Sequence, residues 1–223
     1  MKKEIVITKD GSNSIYLPQM DEHYHSINGS IAESEHIFIQ TGLAEVYKSL
    51  DSISILEIGM GTGLNVLTSY EFQRKNDLTI NYWGVEAFPL DWDLLQDLNY
   101  SNFLVSEESS QIFKKIHDLP WNASAQLADR FTLNKIEAKI QEIELPIYFD
   151  LVYFDAFAPE KQEDMWTGEI FKKIYDSINN GGVLVTYCVK GVVRRILQSI
   201  GFEIEKLPGP IGGKREILRA RKR

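Results

Sequence analysis

A single cysteine, Cys188, leaves the chain without a partner for an internal disulfide. That excludes the small cross-linked secreted scaffolds and points to a reducing compartment. Apolar runs are short, and none approaches the roughly 18 consecutive residues of a membrane span. The opening MKKEIVITKD carries lysines with no apolar segment behind them, so it lacks the pattern of a secretory leader. Paired Cys/His spacings and H-E-x-x-H are also missing. His23 and His25 with Glu33 and His36 come nearest to a metal site. Residues 23 and 25 would face opposite ways on an extended segment, and no metal is expected. There is no internal repeat, low-complexity tract or long linker. What remains is a soluble, cytoplasmic protein whose 223 residues suit one main domain with a sizeable core.

Positive charge is in deficit, with 24 Lys and Arg against 32 Asp and Glu and a net charge of −8. Such a surface argues against broad nonspecific nucleic-acid binding. The deficit is uneven. From Lys190 onward ten basic residues accompany three acidic ones, so this stretch carries +7 and the rest −15. A basic tail on an acidic body reads either as a polyanion contact or as a solvated tail.

Residues 1–50 read as an N-terminal extension. Ile5 and Ile7, then Ile15 and Leu17, alternate with polar residues around Asp10-Gly11, which predicts a hairpin. A helix follows to about Leu50. Residues 51–223 then alternate strands with helices: strands at Ile53–Ile58, Thr79–Val85, Phe131–Ile140, Tyr148–Phe154 and Val183–Cys188, and two short ones at the end. Helices are expected at Thr62–Lys75, from Pro89 to about Leu98, at Thr167–Ile178 and at Gly191–Ile200. This order predicts an α/β fold with a doubly wound, mostly parallel sheet, whose ligands bind beyond the carboxyl ends of the strands.

The residues just after those strands carry the chemistry. Glu57-Ile58-Gly59-Met60-Gly61-Thr62-Gly63 is a strand-to-helix turn with closely spaced glycines, which lets backbone approach a ligand. Leu64 stands where a dinucleotide fingerprint would place its third glycine, which argues against a nicotinamide-dependent oxidoreductase. Glu86, after the second strand, is a carboxylate able to accept two hydrogen bonds from a ribose diol. Glu137 holds the corresponding place after the third. Asp155 ends the fourth strand in Phe154-Asp155-Ala156-Phe157-Ala158-Pro159, with Asp164-Met165-Trp166 behind. A carboxylate there can orient an amine and take its proton, or simply cap the following turn. Cys188 and the aromatics Tyr82, Trp83, Trp92 and Trp121 read as packing residues.

The glycine loop with its leading Glu57 resembles motif I of class I methyltransferases, whose Rossmann-like sheet binds S-adenosyl-L-methionine. A more specific likeness runs along nearly the whole chain. His23-Tyr24-His25-Ser26, Ala32-Glu33-Ser34, the Gly59–Gly63 loop, Glu86-Ala87-Phe88-Pro89-Leu90, the Asp155–Pro159 and Asp164–Trp166 blocks, Gly181-Gly182, Val193-Arg194-Arg195, Gly201-Phe202 and Gly213-Lys214-Arg215-Glu216 follow one another in order. In this order they resemble the methyltransferase domain of MnmC-type tRNA-modifying enzymes, which convert 5-aminomethyl-2-thiouridine at the wobble base to 5-methylaminomethyl-2-thiouridine.

That resemblance implies S-adenosyl-L-methionine as cofactor, tRNA as partner and Asp155 as the acid beside the acceptor amine. It assigns Glu57, Gly59, Gly61, Gly63 and Glu86 to the cofactor and sets Glu33 and Glu137 beside it. Phe157, Trp166 and Tyr187 would border the uridine, and Arg194, Arg195, Lys214 and Arg215 would meet phosphates. Two departures stand out. Ile136-Glu137-Ala138 replaces the usual Gly-Asp-Ala, and the chain ends where many members continue into a flavin-dependent oxidase, so a separate enzyme would supply the aminomethyl group. Other readings are a methyltransferase for a small molecule or protein, and a non-catalytic module with a relic pocket.

Overall fold

The computed structural model describes residues 2–223. Alternation around Asp10-Gly11 folds as a hairpin. Strand β1 (Glu4–Ile7) pairs antiparallel with β2 (Asn13–Leu17), placing Ile5 opposite Ile15, and the two-residue β3 (Glu22–His23) adds to β2. A helical rod follows: α1 (Ser30–Ser34), a π-helical stretch over Glu35–Leu43, then α2 (Ala44–Tyr47). It lies flat on the sheet at Gly42, where a Cβ would stand 3.1 Å from Val185 and 3.4 Å from Leu151 and Tyr153.

The main sheet is built from β4 (Ser52–Ile58), β5 (Thr79–Glu86), β6 (Ala123–Ala128), β7 (Phe131–Glu137), β8 (Phe149–Phe154), β9 (Ile178–Thr186), β10 (Phe202–Pro208) and β11 (Glu216–Lys222). Their order is β10-β11-β9-β8-β4-β5-β7-β6. The five inner strands from β9 to β7 run parallel, β6 and β11 are antiparallel to their neighbours, and the order reverses between β4 and β8. Helices α3 (Leu64–Lys75) and α5 (Ser109–Asp118) join the rod on one face, while α6 (Gly168–Ser177) and α7 (Gly191–Ile200) cover the other. Strand β8 shows why the run is apolar throughout: Leu151 and Tyr153 enter the first core, Val152 and Phe154 the second. No helix among the described residues is long and apolar enough to cross a membrane.

Three local expectations change. The helix after Pro89 shrinks to α4 (Trp92–Leu95), because Asn13 reaches across from the hairpin to the Asp97 carbonyl and its amide is taken by Asn99 Oδ1. Helix α5, unanticipated, is an amphipathic segment burying Ile112, Phe113 and Ile116. The basic tail is not simply a solvated one: much of it is the β10–β11 edge of the sheet, with carboxylates set against several of its charges. Arg219 bonds Glu205, Arg221 bonds Glu45, Lys206 bonds Glu216, Arg223 pairs with Glu203 and Lys190 with Glu160. Lys222 caps the carbonyls of Tyr175 and Ile178.

Two interactions outside the apolar core are open to test. Lys135, only 1% exposed, donates to the carbonyls of Ile116 and Leu119 at 3.0 and 2.7 Å and lies over the Trp121 ring, closing the carboxyl end of α5. Lys135→Met should leave those carbonyls bare and cost about 1–3 kcal/mol. In a chain of this size each kcal/mol lowers Tm by about 2–4 °C, and amide exchange should rise first in α5. Thr62 is held from two sides, its hydroxyl 2.7 Å from His25 Nε2 and its carbonyl 3.2 Å from His117 Nε2. Burial depresses both imidazoles from 6.5 to about 4, with Lys135 adding to the effect on His117. Between those values the unfolded chain binds more protons, so stability should fall as pH drops from about 6.5 toward 4. Urea midpoints across that range should show a shallower slope in His25→Gln.

Candidate active site

After β4 the chain must reverse into α3 within five residues, which only left-handed backbone allows. Gly59, Gly61 and Gly63 take φ of +87°, +48° and +73°. Close approach adds to the demand: a Cβ on Gly59 would lie 2.7 Å from the Asp155 carbonyl oxygen, and one on Gly61 3.1 Å from the Tyr24 ring. The Gly61 amide donates to Glu86 Oε2 at 2.9 Å and the Phe88 amide to Oε1 at 2.8 Å. The Glu86 carboxylate is thereby fixed at the end of β5, and each oxygen keeps a lone pair for a ligand hydroxyl.

Around this loop lies a cavity of about 530 Å³, the scale of a site for a nucleotide-sized ligand. Gly59, Gly61, Glu86, Asp155 and Phe157 all line it. Its walls are largely apolar, from Met60, Val85, Phe88, Pro89 and Ile140, and Leu17, Met20, Tyr24 and His25 of the N-terminal segment contribute a roof. A diol-accepting carboxylate, an apolar slot and an approachable backbone suit a nucleoside with a short polar chain.

Asp155 closes the cavity at the end of β8. Its amide donates to the Ile58 carbonyl and its Oδ2 accepts from Asn65 Nδ2 at 3.0 Å. Burial raises its carboxyl to about 8, Glu33 adds to the rise, and Asn65 and Lys214 oppose it. Such a group can gain and lose a proton near neutral pH. The segment that follows is tied down by Trp166 Nε1 donating to the Phe157 carbonyl at 2.8 Å and the Phe157 amide donating to Gln162 Oε1 at 3.0 Å. The Tyr187 hydroxyl donates to the Ala156 carbonyl at 2.8 Å, and the Lys214 ammonium lies 3.5 Å from the centroid of the Tyr187 ring. Glu33 accepts from the Ser26 amide at 2.8 Å, and burial lifts its carboxyl above the usual range.

The remaining predicted positions divide. Glu57 is fully buried beneath the loop, where Asn65 and Tyr82 donate to it at 2.8 Å each, and it does not reach the cavity. Gly63 caps α3 against His117. Glu137 is exposed, its amide bound to Asn122, and Ala138 to Gln141 form the cavity wall in its place. Trp166 is 5% exposed and packs on Phe154 and Phe171. Arg194, Arg195, Lys214 and Arg215 make no ion pair with a carboxylate among the described residues. No cluster of three His, Cys, Asp or Glu side chains is placed for a metal among them either. His36 bonds the Pro208 carbonyl and His23 stacks on Tyr16.

Sequence reasoning gave no role to Asn65, Tyr24, His25 or Thr62. The first is a polar residue on the first turn of a helix that the structure buries nearly all round.

Residues 102–223 match the family described as S-adenosyl-L-methionine-dependent methyltransferase. The tRNA 5-methylaminomethyl-2-thiouridine biosynthesis bifunctional protein MnmC of Cupriavidus metallidurans is 29% identical over 231 residues, covering 98% of this chain and 34% of its own length. Its namesake from Pseudomonas putida strain GB-1 is 31% identical over 211 residues, covering 90% and 32%. The chain therefore spans about a third of the length of these relatives. The crystal structure of MnmC2 from Aquifex aeolicus matches with a TM-score of 0.80 at 26% identity, over 99% of this chain and 70% of that one. Spermidine synthase from Thermotoga maritima, at 13% identity and a TM-score of 0.59, shares the fold. With its glycine loop, fixed Glu86 and reversed strand order, the chain belongs to the S-adenosyl-L-methionine-dependent methyltransferase family.

Proposed function

We propose that the chain methylates the 5-aminomethyl group of a tRNA wobble (2-thio)uridine to 5-methylaminomethyl. The observation that carries this reading is Asp155, a carboxyl raised by burial to about 8 at the mouth of the cofactor cavity. Bound there, S-adenosyl-L-methionine supplies a methyl group activated on a sulfonium. Glu86 would hold the ribose diol, the backbone of Gly59 to Gly61 the methionine part, and the apolar wall at Phe88, Pro89 and Ile140 the adenine. An aminomethyl group arrives largely as an ammonium, which cannot attack carbon. Asp155 accepts that proton, frees the nitrogen lone pair and orients it. Phe157 and Tyr187 would border the space for the base, and Arg194, Arg195, Lys214 and Arg215, none of them ion-paired among the described residues, would meet phosphate.

The names of the relatives support tRNA as acceptor, and with it a cytoplasmic setting. The reaction that supplies the aminomethyl group would precede this step. The acidic body favours one other reading, a methyltransferase for a small molecule or protein. Transfer of labelled methyl to bulk tRNA lacking the modification, followed by nucleoside analysis, separates the two. Labelled 5-methylaminomethyl uridine supports the proposal; cofactor binding without transfer to tRNA supports the alternative.

Asp155→Asn should keep cofactor affinity within a few-fold yet slow methyl transfer by roughly 100-fold or more. In the wild type the rate should climb with pH up to about 8, as Asp155 loses its proton. The folded chain holds that proton more tightly than the unfolded one, so the carboxyl costs stability as pH rises from 3.8 to about 8. The inactive Asp155→Asn should therefore melt above the wild type at pH 9. Gly61→Val should weaken cofactor binding by about tenfold or more in a direct titration, since left-handed backbone costs a β-branched residue about 1–3 kcal/mol.

A further inference from the structure

Helix α3 begins directly behind the glycine loop, and its second residue, Asn65, is 2% exposed. Its side-chain nitrogen divides its two hydrogens between two acids, donating to Glu57 Oε1 at 2.8 Å and to Asp155 Oδ2 at 3.0 Å. Its oxygen accepts from the Ser34 hydroxyl at 2.6 Å, and Ser34 Oγ lies 2.9 Å from Thr68 Oγ1. With the acids ionised the amide cannot be turned over, because its oxygen would then face two carboxylates. Glu57 is itself anchored by the Tyr82 hydroxyl at 2.8 Å. Ser34, Glu57, Thr68 and Tyr82 are each at most 1% exposed. The result is a dry bracket that joins the N-terminal rod, α3, β5, the end of β4 and the end of β8.

The bracket treats the two oxygens of Asp155 differently. Oδ2 is tethered, while Oδ1 has no donor among the side chains of the described residues. A base that must take a proton from one direction needs this asymmetry, since a freely turning carboxylate would spend much of its time misaimed.

We propose that Asn65 is a positioning residue for methyl transfer, its amide suspended between Glu57 and Ser34 so that one oxygen of Asp155 is held and the other faces the acceptor amine. The proposal rests on the amine reading of Asp155 given above. The charged and titratable groups that face Asp155 are Glu33 from α1, Glu57 from β4 through Asn65, Tyr82 from β5, Tyr187 from just beyond β9 and Lys214 from the turn before β11. Asn65 is neutral and donates directly to the Asp155 carboxylate, so its removal alters the aim of the base without altering the charge around it.

The test has two arms. In the first, the Asp155 carboxyl of the unliganded protein is titrated by carbon-13 NMR, its signal assigned through Asp155→Asn. Asn65→Leu should move its midpoint upward by roughly one pH unit, the scale of a lost hydrogen bond to a carboxylate. In the second, kcat for methyl transfer is followed against pH. Asn65→Leu should lower kcat by roughly 10–100-fold with KM and cofactor affinity little changed, and its acid limb should move to higher pH. Ser34→Ala, a gentler change that frees the Asn65 oxygen and the Thr68 hydroxyl but leaves both bonds to the acids, should move the limb the same way by less, and serves if Asn65→Leu does not fold. Unmoved titration and an unmoved pH profile in the folded variants overturn the proposal, even where stability falls. Absence of methyl transfer to tRNA in the wild type overturns the functional reading instead, and the NMR arm still reports on the bracket.

Discussion

Parallel pairing between β4 and β8 is the interaction on which the rest of the site depends. It sets Glu57 beside Tyr153 and Ile58 beside Phe154, and the first bond past the ladder runs from the Asp155 amide to the Ile58 carbonyl. The glycine loop and the acid, nearly 100 residues apart in the chain, become neighbours at van der Waals range. The space between them exists because the chain leaves these two strands in opposite directions, toward β5 and β9. Gly59 is small because the Asp155 carbonyl occupies the position a side chain would need. The cavity is therefore a property of the strand order, refined by side chains.

Burial supplies the chemistry of this cavity at some expense to stability. Glu33, Glu57 and Asp155 all lie where water is scarce, and each carboxyl is held above its ordinary range. A chain selected for stability alone would place apolar side chains here. The fold offsets the burden with neutral donors: the Ser26 amide for Glu33, Asn65 and Tyr82 for Glu57, and Asn65 again for Asp155. Lys214, whose ammonium rests on Tyr187, is the cation that acts on both Glu33 and Asp155.

The parts legible in the sequence were those written locally. A glycine turn between an apolar strand and a helix, an acid after each of two strands, and the nearly unbroken apolar run of β8 need no distant partner to be understood. Glu86 and Asp155 could be placed for that reason. Asn65 could not, because its meaning lies in Ser34, Glu57 and Asp155, three residues from three other elements. The shortened α4 has the same origin: its end is set by the hairpin reaching over to Asp97 and Asn99. The tail misled in another way, since a charge count cannot tell a solvated lysine from one whose carboxylate lies on a neighbouring strand. Glu137 followed from likeness to the Gly-Asp-Ala of related folds; it ends β7 in register with Glu86, but its side chain is exposed and Ala138 to Gln141 line the cavity instead.

The roof over the cavity has a thermodynamic meaning. Tyr24 and His25 reach the site on a segment held to the body through Thr62, a residue of the glycine loop. Docking of residues 2–30 and occupancy of the cavity therefore act on the same few atoms, and linkage makes such effects mutual. Any factor by which seating the N-terminal segment changes the hold on the ligand is the factor by which the ligand changes the seating of the segment. This extension thus behaves as a second ligand that happens to be covalently attached, present at a concentration set by the chain itself.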